Sequence, residues 1–197
     1  MSREGYKSRT NKTVWIFAAV YLGLAVVSFL SYWAAGMSAF DAINHAFSVI
    51  STGGFSTKNL SIASFDSNLI SILTIIFMFL SSVHFGLIYM VFATRSLRPL
   101  NNPVLKFYVL TILIASLLVA LSLKMSSAGF TWGDSFMTGI FQVVSFISTT
   151  GFAISDNNTW PLFACFIMVL ISIPCGMAGS TTGGVKSDRM FLIFKTI

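Results

Sequence analysis

The spacing of charges constrains this chain more than any other feature: residues 13–40, 67–94, 107–123 and 157–185 contain no Asp, Glu, Lys or Arg. A helix needs roughly 20 apolar residues to cross a bilayer core of about 30 Å, and three of these stretches supply them with residues to spare. The third lies between Lys106 and Lys124, and a lysine can carry its ammonium to the membrane surface while its stem stays in the apolar layer. Four spanning helices are therefore expected, near 13–35, 68–94, 107–125 and 160–178. Composition agrees, since charged residues make up 9% of the chain where a soluble domain has about 25%. The chain is expected to be solvated by membrane lipid.

The basic residues say which way it faces. Arg3, Lys7, Arg9 and Lys12 precede the first span, Arg95, Arg98 and Lys106 lie between the second and third, and Lys186, Arg189 and Lys195 follow the fourth. Only Lys58 and Lys124 fall in the other two connections. The excess of Lys and Arg on cytoplasmic loops places both termini and the 95–106 loop inside. The net charge of +6 is thus membrane topology and not a nucleic-acid surface. Cys165 and Cys175, both within an apolar stretch, form neither a disulfide framework nor a metal cluster.

Two shorter apolar pieces, 38–50 and 135–147, have helical spacing but run into Ser, Thr and Gly. At 1.5 Å per residue each is about 20 Å long, too short to cross. A full span at 135–155 would put the basic tail outside, so both pieces are expected to enter and leave from the external face. They also repeat. A shift of 97 residues aligns Gly36/Gly133, Ser38/Ser135, Ile43/Ile140, Ser48/Ser145, Ile50/Ile147, Ser51/Ser148, Thr52/Thr149, Gly54/Gly151 and Phe55/Phe152. Each unit reads as span, half-helix, Ser-Thr-x-Gly-Phe loop and span. Two units of the same orientation are related by an axis along the membrane normal, where a pore would lie.

Non-helical backbone at membrane depth survives only where it is buried in protein or lines a water-filled cavity. Carbonyls directed at a narrow axis can replace the hydration shell of a cation. Gly54 and Gly151, without Cβ, permit the backbone angles that such a loop needs. The negative ends of the preceding half-helix dipoles also favour a cation there.

The strings HAFSVISTGGFST at 45–57, FQVVSFISTTGFA at 141–153 with Trp160-Pro161 after it, and CGMAGSTTGGVKSDR at 175–189 resemble the second and third pore repeats of the Trk/Ktr/HKT superfamily of potassium transporters, of the bacterial TrkH type. The resemblance implies an all-α polytopic membrane protein that takes up K⁺ as the transported ion, with no covalent cofactor. It also implies a filter made of Ser51, Thr52, Gly53, Gly54 and Phe55 with Ser148, Thr149, Thr150, Gly151 and Phe152. K⁺ would sit at the carbonyls of Thr52, Gly53, Gly54, Thr149, Thr150 and Gly151. In the wider superfamily Ser at a filter glycine goes with Na⁺ permeation, so Gly54 and Gly151 lean towards K⁺. The implied organisation is a cytoplasmic 1–12, a pore repeat at 13–94, a cytoplasmic loop at 95–106, a second repeat at 107–185 and a cytoplasmic tail at 186–197, in the bacterial inner membrane.

Family members carry four such units and this chain has two, so the ring is expected to need either the missing repeats or a homodimer. A non-conducting fragment or assembly subunit is the rival reading. The resemblance further implies a cytosolic nucleotide-binding regulatory subunit meeting the inner face near Arg95, Arg98, Lys186 and Arg189. Pro174 and the seven glycine, serine and threonine residues that follow it up to Gly184 make a regular helix improbable at the end of the fourth span. By resemblance Gly176, Gly179, Ser180, Thr181, Thr182, Gly183 and Gly184 form a gate loop beneath the filter. Such a loop is expected to plug the pore and to move aside at little cost, because few packing contacts hold it.

Other signals weigh less. GSTTGGVKS at 179–187 has Val185 where a phosphate-binding loop needs Lys. The six acidic residues are scattered, which leaves no paired carboxylates for an enzyme. His84, with Ser81 and Ser82, reads as a neutral histidine hydrogen-bonded between helices. Asn44, His45 and Gln142 read as support for the loops, without ion contact. The Asn-x-Ser/Thr strings at Asn11, Asn59 and Asn157 carry no weight.

Overall fold

The computed structural model describes residues 3–126, 130–156, 158 and 160–196, with side chains from Asn11 onward; the string at Asn157 begins outside them, as do Met1, Ser2 and Ile197 at the two ends. In hydrocarbon a backbone must pair its own N–H and C=O groups, and the long uncharged runs do so as helices. Among the described residues, α1 (Arg3–Ala34) and α5 (Pro103–Met125) are the two unbroken ones long and apolar enough to cross. α1 begins inside the basic N-terminus, ahead of the expected boundary at 13. α5 begins at Pro103 in place of 107, because Asn102 caps it by accepting the amides of Val104 and Leu105, at 2.8 and 3.4 Å.

The two short pieces are α2 (Ala39–Ile50) and α6 (Trp132–Ile147). Ser38 Oγ caps α2 by accepting the Asp41 amide at 3.1 Å. Thr131 Oγ1 takes the Asp134 amide at 3.2 Å, so α6 starts before the expected 135. α2 packs on α1, and α6 packs on α5. At Gly139 the latter pair is so close that a Cβ would stand 3.1 Å from the Ser116 carbonyl oxygen.

The single helix expected over 68–94 is two, α3 (Asn68–Ser82) and α4 (Phe85–Thr94), at 98° to each other. The Ser81 and Ser82 hydroxyls donate back to Met78 O at 2.8 Å and Phe79 O at 2.6 Å, which competes with continuation of the helix. Val83 is extended, and His84 caps the new helix by accepting the Gly86 amide on Nδ1 at 2.8 Å. Tyr32 of α1 donates to Thr74 Oγ1 of α3 at 3.1 Å and fixes these two helices together.

The helix expected over 160–178 is also shorter. α7 (Leu162–Ile171) ends at Ser172, and Pro174–Cys175 (β1) then pairs in parallel with Val185–Lys186 (β2), closing residues 176–184 into a loop. α8 (Ser187–Thr196) follows and lays Phe191 and Phe194 against Phe107 of α5, with ring centroids 5.8 and 5.9 Å apart.

Candidate functional site

The loops after α2 and α6 have the same backbone. α2 ends with Gly53 N bonded to Ser48 O at 2.8 Å and Thr52 N to Val49 O at 3.2 Å. α6 ends with Thr150 N bonded to Ser145 O at 3.0 Å and Thr149 N to Phe146 O at 2.9 Å. This is the helix stop in which the residue after the cap turns left-handed, a place normally held by glycine. Here it is threonine both times, with φ of 54° at Thr52 and 55° at Thr149. A β-branched residue in that region is a true outlier, costing about 1–2 kcal/mol. Two residues on, Gly54 (67°) and Gly151 (88°) are again left-handed.

The loops meet. A Cβ on Gly54 would collide with the Thr150 carbonyl oxygen, whereas one on Gly151 would meet nothing within 4 Å. The segment after the second loop is tied to the first unit: Ala63 N donates to Ala153 O at 3.3 Å, and Ala153 N to Ser61 Oγ at 3.2 Å. Ser145 Oγ donates to Phe152 O at 2.6 Å. After the first loop, the Asp41 carboxylate accepts from Thr57 at 2.5 Å and from Ser38 at 2.8 Å, with Lys58 Nζ 3.4 Å away. Those two hydroxyls and then the ammonium hold the Asp41 carboxyl below the usual carboxylate range.

The 176–184 loop lies against both. Gly183 N donates to Thr149 Oγ1 at 2.8 Å, and the Thr52 hydroxyl lies 3.1 Å from Thr181 O, though nearer its neighbour Ser51 O at 2.7 Å. The same two strained threonines thus contact one segment. The break between α3 and α4 holds it as well. Met177 N donates to Ser82 O at 2.9 Å, Thr181 N to Ser81 O at 3.3 Å, and Phe85 N to Gly179 O at 3.0 Å. Ala178 N reaches Asp188 at 2.6 Å, and Lys186 donates to the Thr182 carbonyl. The expectation of a loosely held loop is therefore corrected. Backbone groups orphaned where α3 stops are satisfied by the loop, and displacing it would leave them unpaired.

All the residues expected in the two filter segments and the gate loop fall in this one region. Ser148, Thr150, Phe152, Gly176 and Thr182 are buried, and Phe55 stands out from the surface. His45 is enclosed behind the loops, and Asn44 instead bonds its own helix at Phe40 O, 2.7 Å away. Gln142 is fully buried on α6. His84 does not bridge helices through a hydrogen bond of its Nδ1, which caps its own helix; its ring packs at the α3–α4 break, edge-on to Phe17 with centroids 5.9 Å apart. Sequence reasoning missed Ser61, and it did not give the Ser81 and Ser82 carbonyls a role. The polar run Ser81-Ser82-Val83-His84, inside an apolar stretch, was the available signal for the break.

Comparisons with known proteins bear on this arrangement. The model of the TrkH family, described as a cation transport protein, matches residues 5–197. The Trk system potassium uptake protein TrkH of Escherichia coli K12 is 37% identical over 193 residues, which is 95% of this chain and 38% of the relative. TrkG of the same strain is 34% identical over 188 residues, again 38% of its length. The crystal structure of the potassium transporter TrkH from Vibrio parahaemolyticus matches with a TM-score of 0.87 at 33% identity, covering 98% of this chain and 41% of that one. The chain therefore spans about two fifths of the length of these relatives.

Proposed function

The chain belongs to the TrkH family of cation transport proteins, and on that premise we propose that it forms part of a pore for potassium uptake across the bacterial inner membrane. The carrying observation is the repeated loop, with left-handed Thr and Gly at equivalent places 97 residues apart. Strain of this kind persists only where the surroundings enforce it, and it concentrates at functional sites. The carbonyls of Thr52, Gly53 and Gly54 and of Thr149, Thr150 and Gly151 would replace the water around a K⁺ ion. K⁺ would enter from outside, cross these carbonyls, and leave past residues 176–184 when that loop gives up its bonds to Thr149 and the α3–α4 break. Both termini and the 95–106 loop would be cytoplasmic.

Two loops do not encircle an ion, so the pore would be completed by further repeats or by a second copy of the chain. A cytosolic nucleotide-binding partner would meet the inner face near Arg95, Arg98, Lys186 and Arg189. The second reading is a non-conducting membrane piece. It is favoured by Phe55, which is 82% exposed where its equivalent Phe152 is 1% exposed.

Growth of a K⁺-uptake-deficient bacterium on limiting potassium tests the proposal, with this chain alone and with Gly54→Ser plus Gly151→Ser. Rescue abolished by the double substitution, with the variant at the parent's level in the membrane, supports a carbonyl filter assembled by this chain. Rescue that survives it overturns the filter. No rescue, with the protein present in the membrane, leaves the non-conducting reading for the chain by itself.

A further inference from the structure

We propose that His45 is a positioning residue that sets the spacing between the two loops, and that it does so as one fixed neutral tautomer. The proposal rests on the reading of those loops as halves of a potassium filter.

The imidazole is completely buried, at 0% exposure, and is engaged on all sides. Nδ1 lies 2.8 Å from the Asp41 carbonyl oxygen one turn earlier on α2. A carbonyl only accepts, so Nδ1 carries the hydrogen. Nε2, 2.9 Å from Ser56 Oγ, is then the acceptor and the Ser56 hydroxyl the donor. Ser56 Oγ in turn accepts the Lys58 amide at 3.1 Å, which leaves its one hydrogen available to the ring. These bonds grip the segment that leaves the first loop. The ring faces do the rest. His45 stacks on Phe152, the last residue of the second loop, with centroids 5.7 Å apart and planes at 22°. Phe65 closes the other side edge-on at 5.2 Å.

One side chain therefore touches the exit of both loops, through hydrogen bonds to the first and a ring contact to the second. Its distance from each fixes how far apart Gly54 and Gly151 stand. A doubly protonated ring would lose the Ser56 bond as now arranged, because Nε2 would become a donor facing the serine's own donor. The Asp41 carboxylate and Lys58 ammonium at the start of α2 are the charged groups nearest this cluster. Gln142 stands at the equivalent place in the second unit, 97 residues on.

Two readouts test the assignment on the intact chain in lipid bilayers and in cells. Nitrogen chemical shifts of isotope-labelled histidine, with His45 assigned against His45→Gln, are expected to show Nδ1 protonated and Nε2 bare. A ring protonated at Nε2, or one exchanging between tautomers, would overturn the proposal. In uptake measurements, His45→Phe keeps a stacked ring and loses both hydrogen bonds; K⁺ over Na⁺ preference should fall about tenfold, the equivalent of about 1.4 kcal/mol, at unchanged membrane level. His45→Gln retains a donor and an acceptor and should recover most of it. Unchanged selectivity in His45→Phe, with K⁺ uptake intact in the parent chain, would overturn the positioning role. If the parent chain takes up no K⁺, the transport reading has failed for it, and the tautomer measurement still decides this one.

Discussion

The loops at 51–55 and 148–152 share a backbone but not an environment. Each is built by the end of its own helix, through the same pair of amide bonds and the same left-handed threonine. The flank of the second is finished by neighbours: Ser145 Oγ holds the Phe152 carbonyl, and the Phe152 ring lies under His45. In the first unit Ser48 Oγ is buried without a partner among the described residues, and Phe55 projects outward. Loop shape is thus local, written in the helix stop. Loop support is partly borrowed: Ser145 of α6 itself holds the Phe152 carbonyl, and His45 of the first unit covers the Phe152 ring.

The largest contrast should come from truncating the two phenylalanines. Phe152→Ala empties a buried site and should destabilise the chain by about 3–5 kcal/mol. Phe55→Ala should change little, within about 0.5 kcal/mol for an exposed side chain. Thermal unfolding in detergent or bilayers measures both; equal losses would mean that Phe55 has a seat after all.

Next come the glycines. Ser at either position bears the left-handed strain of about 1–2 kcal/mol, but only Gly54→Ser also drives a Cβ into the Thr150 carbonyl. Gly54→Ser should therefore lower both stability and K⁺ uptake, while Gly151→Ser should lower K⁺ preference with the melting temperature close to the parent. The reverse order would break the assignment of the crowded side.

Thr149→Val and Thr52→Val compare the two grips on the 176–184 loop. Loss of the Thr149 acceptor should cost about 1 kcal/mol and speed hydrogen exchange at the Gly183 amide. Thr52→Val should act less, since its hydroxyl is shared with Ser51 O.

The smallest effect is acid dependence confined to the first unit. The Asp41 carboxyl is held below its ordinary value by Thr57, Ser38 and Lys58, so its contribution is present above the unfolded pKa of about 4. It fades as pH falls through the still lower folded value. Protection from exchange at residues 56–58, taken relative to the intrinsic rate at each pH, should be steady from neutral pH down to about 5 and fall only in stronger acid. Residues 153–155 should not follow, because Thr138 stands where Asp41 would be.

Much of this fold was legible in the sequence because lipid imposes one rule, that uncharged runs of sufficient length become helices. The half-helices were legible because Ser-Thr-x-Gly-Phe stops both at the same register. Helix continuity was not. Nothing in periodicity separates Ser81 and Ser82 facing a neighbour from the same hydroxyls bonding back to their own helix. The loop at 176–184 was recognisable by its glycines, but its retention was not, since it depends on backbone groups freed a hundred residues earlier at Ser81 and Ser82. The bridging place of His45 was equally hidden, because Phe152 and Ser56 reach it from two different loops.

The most direct test of the account is the response of backbone carbonyl resonances to the ion. With carbonyl-labelled threonine and glycine in bilayers, exchanging K⁺ for Na⁺ should shift Thr52, Gly53, Gly54, Thr149, Thr150 and Gly151 and leave threonines on the helices, such as Thr74 and Thr111, unmoved. Carbonyls in the two loops that do not distinguish the ions, or a shift spread evenly over loops and helices, would contradict it.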